Sequence, residues 1–156
     1  MKKFILLAIV VFPSCVFPCF TFAQSTYKTA AGLEMDFGRG TTLAGPTLKN
    51  FFNNHSALQV EALLGSNYFS LGAFYQYHLS VKKESGLKFY LGLGPEYFLG
   101  LRNDAGVLLR PMAGLDYKVK KLPISITFDL RPTLLLSSYS KFEVARFGLG
   151  ARYAFR

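Results

Sequence analysis

The chain has 156 residues, enough for one domain, and carries 18 Lys and Arg against 9 Asp and Glu, a formal net charge of +9. Its two cysteines, Cys15 and Cys19, both lie in the first twenty positions. If that segment is removed on export, neither a disulfide framework nor a thiolate site is available to the rest of the chain.

Export is the first expectation. Met1-Lys2-Lys3 is a short positive start, Phe4 to Phe12 is an unbroken apolar stretch, and Thr21-Phe22-Ala23 offers a cleavage site after Ala23. Residues 1–23 are therefore read as a signal peptide and 24–156 as the mature domain. A retained helix is the competing reading, since Phe4 to Ala23 is long enough to span. Pro13 and Pro18, and the pattern downstream, count against it. Neither Cys15 nor Cys19 follows the small residues that lipid attachment requires. Removing Lys2 and Lys3 lowers the charge from +9 to +7. Such a balance raises the question of nucleic acid, but export disfavours it, and most basic side chains alternate with apolar ones or fall in turns.

Eight strands follow, at about Tyr27–Arg39, Leu43–Phe52, Ala57–Gly65, Tyr68–Leu79, Lys88–Leu101, Val107–Lys120, Pro123–Leu136 and Phe142–Phe155. Turn signals separate them: Gly38-Arg39-Gly40, Asn53-Asn54-His55, Gly65-Ser66-Asn67, Lys82 to Gly86, Asn103 to Gly106, Lys121-Leu122-Pro123 and Ser137 to Ser140. Within residues 43–52, Leu48 to Phe52 could instead form a short amphipathic helix. Eight is kept because single-chain bacterial barrels use even numbers.

The strands are two-faced, as a side-chain period of two demands. In the fifth, Phe89, Leu91, Leu93, Pro95, Tyr97, Leu99 and Leu101 alternate with Tyr90, Gly92, Gly94, Glu96, Phe98 and Gly100. In the sixth, Leu109, Pro111, Ala113, Leu115, Tyr117 and Val119 alternate with Arg110, Met112, Gly114, Asp116 and Lys118. The seventh sets Ile124, Ile126, Phe128 and Leu130 against Ser125, Thr127, Asp129 and Arg131. The eighth sets Phe147, Leu149, Ala151, Tyr153 and Phe155 against Arg146, Gly148, Gly150 and Arg152. Roughly ten strand residues at ~3.3 Å rise and ~40° tilt cover ~25 Å, the height of a lipid-facing band.

A soluble lipocalin-like barrel would put the apolar face inside, and a membrane barrel reverses this. The membrane form is expected here. The apolar residues are too bulky to fill an eight-stranded interior together, and the glycines sit on the polar face, where a small barrel needs room. With both termini periplasmic, Tyr77, Phe89, Tyr117, Tyr153 and Phe155 form an aromatic girdle at the periplasmic rim. The fold class is thus all-β, an eight-stranded antiparallel up-and-down transmembrane barrel with short connections.

The signal peptide, the strand alternation and the aromatic end Ala151-Arg152-Tyr153-Ala154-Phe155 resemble the small eight-stranded outer-membrane barrels of Gram-negative bacteria, the outer-membrane protein A and X type. The resemblance covers nearly all of the mature chain. It implies an outer-membrane location, lipid around the barrel and an assembly machinery that reads the terminal aromatic. This chain departs by adding Arg156.

On this assignment the interior carries Lys28, Lys49, Lys88, Arg110, Lys118, Arg131, Arg146 and Arg152 together with Glu34, Asp36, Glu61, Glu96, Asp116 and Asp129. Charges in a narrow lumen are costly unless paired, and eight strands leave space that side chains just fill. A polar plug is expected rather than an ion path or catalytic cluster. A register with Leu101 facing Ala105 places Glu96 opposite Arg110.

Neither histidine announces chemistry. His55 lies in a turn, and His78 faces inward with Ser70 too far along its strand to serve it. No metal or other cofactor is expected. Lys82, Lys83, Lys120 and Lys121 are read as turn charges, with anionic headgroups as the alternative ligand. The expected function is a plugged, non-catalytic structural or interaction barrel, monomeric and without nucleic acid. A narrow pore or transporter is the first alternative, and a lipid-modifying enzyme of the outer membrane the second.

Overall fold

The computed structural model describes residues 27–38, 40–81, 86–100, 105–135, 142–143 and 146–155. The expected signal peptide, with Cys15 and Cys19, lies outside the described residues, as do Arg39, Lys82, Lys83, Leu101, Arg156 and most of the turns at 101–104 and 136–141.

Ten strands succeed one another: β1 Thr29–Gly38, β2 Thr41–Phe51, β3 Ser56–Gly65, β4 Tyr68–Ser80, β5 Leu87–Gly100, β6 Ala105–Lys118, β7 Ile124–Leu130, β8 Thr133–Leu135, β9 Phe142–Glu143 and β10 Arg146–Phe155. All pairings are antiparallel, and β1–β10 and β5–β6 close the sheet on itself. The barrel has eight staves, because β7 and β8 continue one another against β6 in a single register. Residues 43–52 fall in a strand, with Leu43, Thr47, Lys49 and Phe51 buried on one face, not in a helix. Gly40, at φ 81°, takes the left-handed conformation that the tight β1–β2 turn needs.

Pro132 changes the last two staves. The expected seventh strand breaks at Arg131 and Pro132, since proline has no N–H to give the ladder. On the other side, β7 pairs Leu130 with Phe147 whereas β8 pairs Thr133 with Glu143. The two pairings differ in register by one residue, and the expected eighth strand is described as β9 and β10 on either side of positions 144–145.

The pairings set the tilt. One circuit runs from Lys28 through Phe51, Ala57, Gln76, Gly92, Met112, Arg131 and Arg146 to Gly38. It closes about ten residues higher on β1, a stagger that tilts eight strands by roughly 40–45°. An interior of this size is filled by side chains.

Burial follows the expected faces. Leu91, Leu93, Tyr97, Leu115, Ile126, Phe128 and Leu149 are exposed, while Glu34, Lys49, Gln59 and Arg131 have no exposure at all. A soluble protein does the reverse, and an apolar exterior this continuous marks contact with lipid or a partner. Tyr77, Phe89, Tyr117, Tyr153 and Phe155 all stand on the outer face at the end that holds both chain ends. Tyr153 and Phe155 meet edge to face, with ring centroids 5.1 Å apart.

Candidate functional site

The charged lumen is the candidate site. Strands tilted in a closed sheet aim every second side chain at the axis, so charges distant in sequence converge there. Among the described residues, Glu34, Asp36, Glu61, Glu96, Asp116, Asp129, Lys49, Arg110, Arg131, Arg146 and Arg152 are all buried. They sort into three layers.

The middle layer centres on Arg131, just beyond β7. Its guanidinium is in contact with Asp129 and Glu34 and lies 3.0 Å from Glu61 Oε1. Glu61 is on β3, four staves away, so this pair crosses the full diameter. Arg152 also pairs with Glu34 and donates to Thr127 Oγ1 at 3.0 Å. The Tyr90 hydroxyl donates to Asp129. Gln59 Nε2 donates to Glu61 Oε2 at 2.8 Å, and Gln76 Nε2 to Gln59 Oε1 at 2.9 Å. Glycine makes this possible: a Cβ on Gly148 would collide with the Arg131 guanidinium, and one on Gly150 with Glu34 and Thr127.

The layer nearer the chain ends centres on Asp116. Its carboxylate receives Tyr27 Oη at 2.7 Å, Lys49 Nζ at 3.1 Å and Ser125 Oγ at 2.5 Å. Lys49 on β2 and Asp116 on β6 are again four staves apart. His78 Nε2 stands 3.6 Å from Asp116, with its ring between Phe51 and Tyr90. Ser125 donates to Asp116 rather than to His78, so these three do not form a nucleophile–base pair. Below them Tyr27, Ala30, Phe51, Ala57 and Ala154 make an apolar floor.

In the third layer Asp36 contacts Arg110 and accepts from Arg146 Nε at 3.1 Å. Arg110 Nε lies 2.7 Å from Glu96 Oε2. The two do not sit opposite each other, as the sequence register had them. Leu99 rather than Leu101 faces Ala105, so Glu96 is opposite Leu108 and Arg110 opposite Gly94. A slip of two residues preserves every face, and the long arginine reaches its carboxylate diagonally.

Lys118 and Lys28 are placed differently from expectation, whereas Lys88 and His55 are not. Lys118 lies at the rim, where its ammonium donates to Leu122 O at 2.6 Å, because the β6–β7 turn presents that carbonyl within reach. Lys28 is exposed at the barrel end. Lys88 pairs in register with Asp116 and holds its ammonium over the Phe51 ring at 4.9 Å. His55 is exposed and stacks on Tyr77. Sequence reasoning did not single out Tyr27, Tyr90, Gln59 or Ser125. Their inward parity was readable, but their partners lie on other staves. Among the described residues no three His, Cys, Asp or Glu side chains are grouped to hold a metal ion.

No known family's sequence pattern matches the chain, and no curated protein matches it. Solved structures do. The N-terminal β-barrel domain of Pseudomonas aeruginosa OprF aligns with a TM-score of 0.65 at 15% identity, covering 84% of this chain and 100% of that one. Neisserial surface protein A aligns with a TM-score of 0.54 at 16% identity, covering 81% of this chain and 94% of that one. The chain has the fold of the small eight-stranded outer-membrane barrels.

Proposed function

We propose that this is an integral outer-membrane barrel whose lumen is closed by its own ion pairs, and which serves a structural or interaction role without catalysis. One observation carries the reading: Arg131 is held by Glu34, Glu61 and Asp129 across the whole lumen diameter. Removing one partner of such a buried group leaves the others uncompensated, so the plug cannot be shed cheaply to make a pore. The apolar exterior and the aromatic ring at one rim support lipid as the surrounding medium. The same reading has both termini periplasmic, residues 1–23 removed on export, and a monomer inserted by the barrel-assembly machinery.

Single-channel recording of the purified protein in planar bilayers tests the plug. No steady conductance is expected, and a stable open level would replace the structural reading with a pore. Fractionation tests location: the protein should follow the outer membrane and migrate differently on gels when boiled and unboiled. Recovery as a soluble periplasmic monomer would remove the membrane assignment.

A further inference from the structure

The lumen does not hold the excess charge of the chain. Among the described residues five buried cations meet six buried carboxylates there, while the chain as a whole carries +9. The positive excess therefore lies outside the barrel interior. The strand order places part of it at the rim that holds Tyr27 and Phe155. Lys28 precedes β1, and Lys120 and Lys121 lie in the β6–β7 turn; all three are exposed. Lys88, near the start of β5, and Lys118, at the end of β6, stand half-buried at the same end.

These lysines lie on one arc of adjacent staves. Thr29 faces Phe155, Ala154 N–H donates to Pro123 O at 2.7 Å, Ser125 faces Lys118, and Asp116 faces Lys88. The rim thus runs unbroken through β1, β10, β7, β6 and β5. The aromatic ring shares the arc, with Tyr153 and Phe155 on β10, Tyr117 on β6 and Phe89 on β5. Leu122, beside the two turn lysines, is an exposed apolar tip. Among the described residues at this end the one carboxylate is Asp116, which is buried and bound by Lys49, Tyr27 and Ser125. Lysines of one sign are therefore gathered beside amphipathic aromatics with no exposed carboxylate opposite them. Aromatic side chains settle at the headgroup level of a bilayer, and lysine ammoniums beside them reach the phosphates.

We propose that this arc is a binding surface for anionic phospholipid, with Lys120 and Lys121 holding the headgroup phosphates of lipids of the phosphatidylglycerol class and Tyr117 and Tyr153 seated beside them. The inference rests on the membrane reading above and goes beyond it, because a lipid-facing wall by itself does not choose among headgroups. Choice comes from charge. A zwitterionic headgroup carries its own cation beside the phosphate and gains less from a lysine than a headgroup with net negative charge.

Flotation with phosphatidylcholine liposomes first shows insertion. The barrel in neutral maltoside micelles is then titrated with dioctanoyl phosphatidylglycerol, dioctanoyl phosphatidylcholine or inorganic phosphate, and binding is read from the amide resonances of Lys120, Lys121 and Leu122. Phosphatidylglycerol should bind about tenfold more tightly than phosphatidylcholine, and raising the salt from about 0.05 to about 0.5 M should remove most of that difference. Changing both Lys120→Gln and Lys121→Gln should bring phosphatidylglycerol down to the level of phosphatidylcholine. Changing both to Glu should take it lower still. Equal affinity for the two lipids, or a preference that survives the two Gln changes in a barrel that still floats, would overturn the arc. Inorganic phosphate binding as tightly as phosphatidylglycerol would overturn the lipid as its ligand. Failure to float is a different result: it counts against the membrane reading itself and takes the arc with it.

Discussion

Two clusters bridge the lumen along different diameters, and they are built with opposite charge at the centre. Arg131 is a cation shared by Glu34, Glu61 and Asp129, whereas Asp116 is an anion shared by Lys49, Tyr27 and Ser125. The difference follows from side-chain chemistry. A guanidinium presents five donors in a planar fork and can serve several carboxylates at once. A carboxylate is acceptor-only, so neutral hydroxyls can share it with one ammonium. The first cluster concentrates charge and depends on one side chain. The second spreads its bonds over partners that tolerate loss.

The comparison breaks most visibly at Arg131. Arg131→Met leaves three buried carboxylates short of their shared cation and should cost about 5 kcal/mol, the upper end for breaking a buried pair. Denaturant unfolding in micelles measures it, and a loss below about 1 kcal/mol would show that the carboxylates do not depend on the guanidinium. Asp116→Asn should cost less, about 3 kcal/mol, because the amide oxygen still accepts from Tyr27 or Ser125 while Lys49 loses its counter-charge. If it costs as much as Arg131→Met, the contrast between the two centres is wrong.

An exterior change calibrates both. Leu93→Arg, on the lipid side, should cost ~2–4 kcal/mol near the midplane. A neutral result in the same unfolding assay would mean that the inner and outer faces are exchanged. The smallest expected effect is at the third layer. A double-mutant cycle of Glu96→Gln with Arg110→Met should show a coupling of about 1 kcal/mol, the double change costing less than the sum of the singles. Additive costs would show that their 2.7 Å approach carries no energy.

Much of the fold was legible because it repeats. Every stave obeys one alternation, so Glu34, Asp36, Lys49, Glu61, Glu96, Arg110, Asp116, Asp129, Arg131, Arg146 and Arg152 were assigned inward from parity alone, and all are buried. Lys118 and Lys28 obey the same parity yet lie at the rim, since parity says nothing about height. The aromatic ring was legible for the same reason as the faces. The Glu96–Arg110 partnership was reached through a wrong register. A two-residue slip changes no face, and local sequence therefore does not distinguish the two alignments.

The sequence by itself determined which side chains point to the axis and which to the outside, because the period of a strand is a local property of the backbone. The tertiary structure decided the rest: that Arg131 meets Glu61 across the lumen, and that Asp116 collects Tyr27 and Lys49. Each of these depends on the stagger of eight strands around a closed ring, a sum of registers that no single strand encodes.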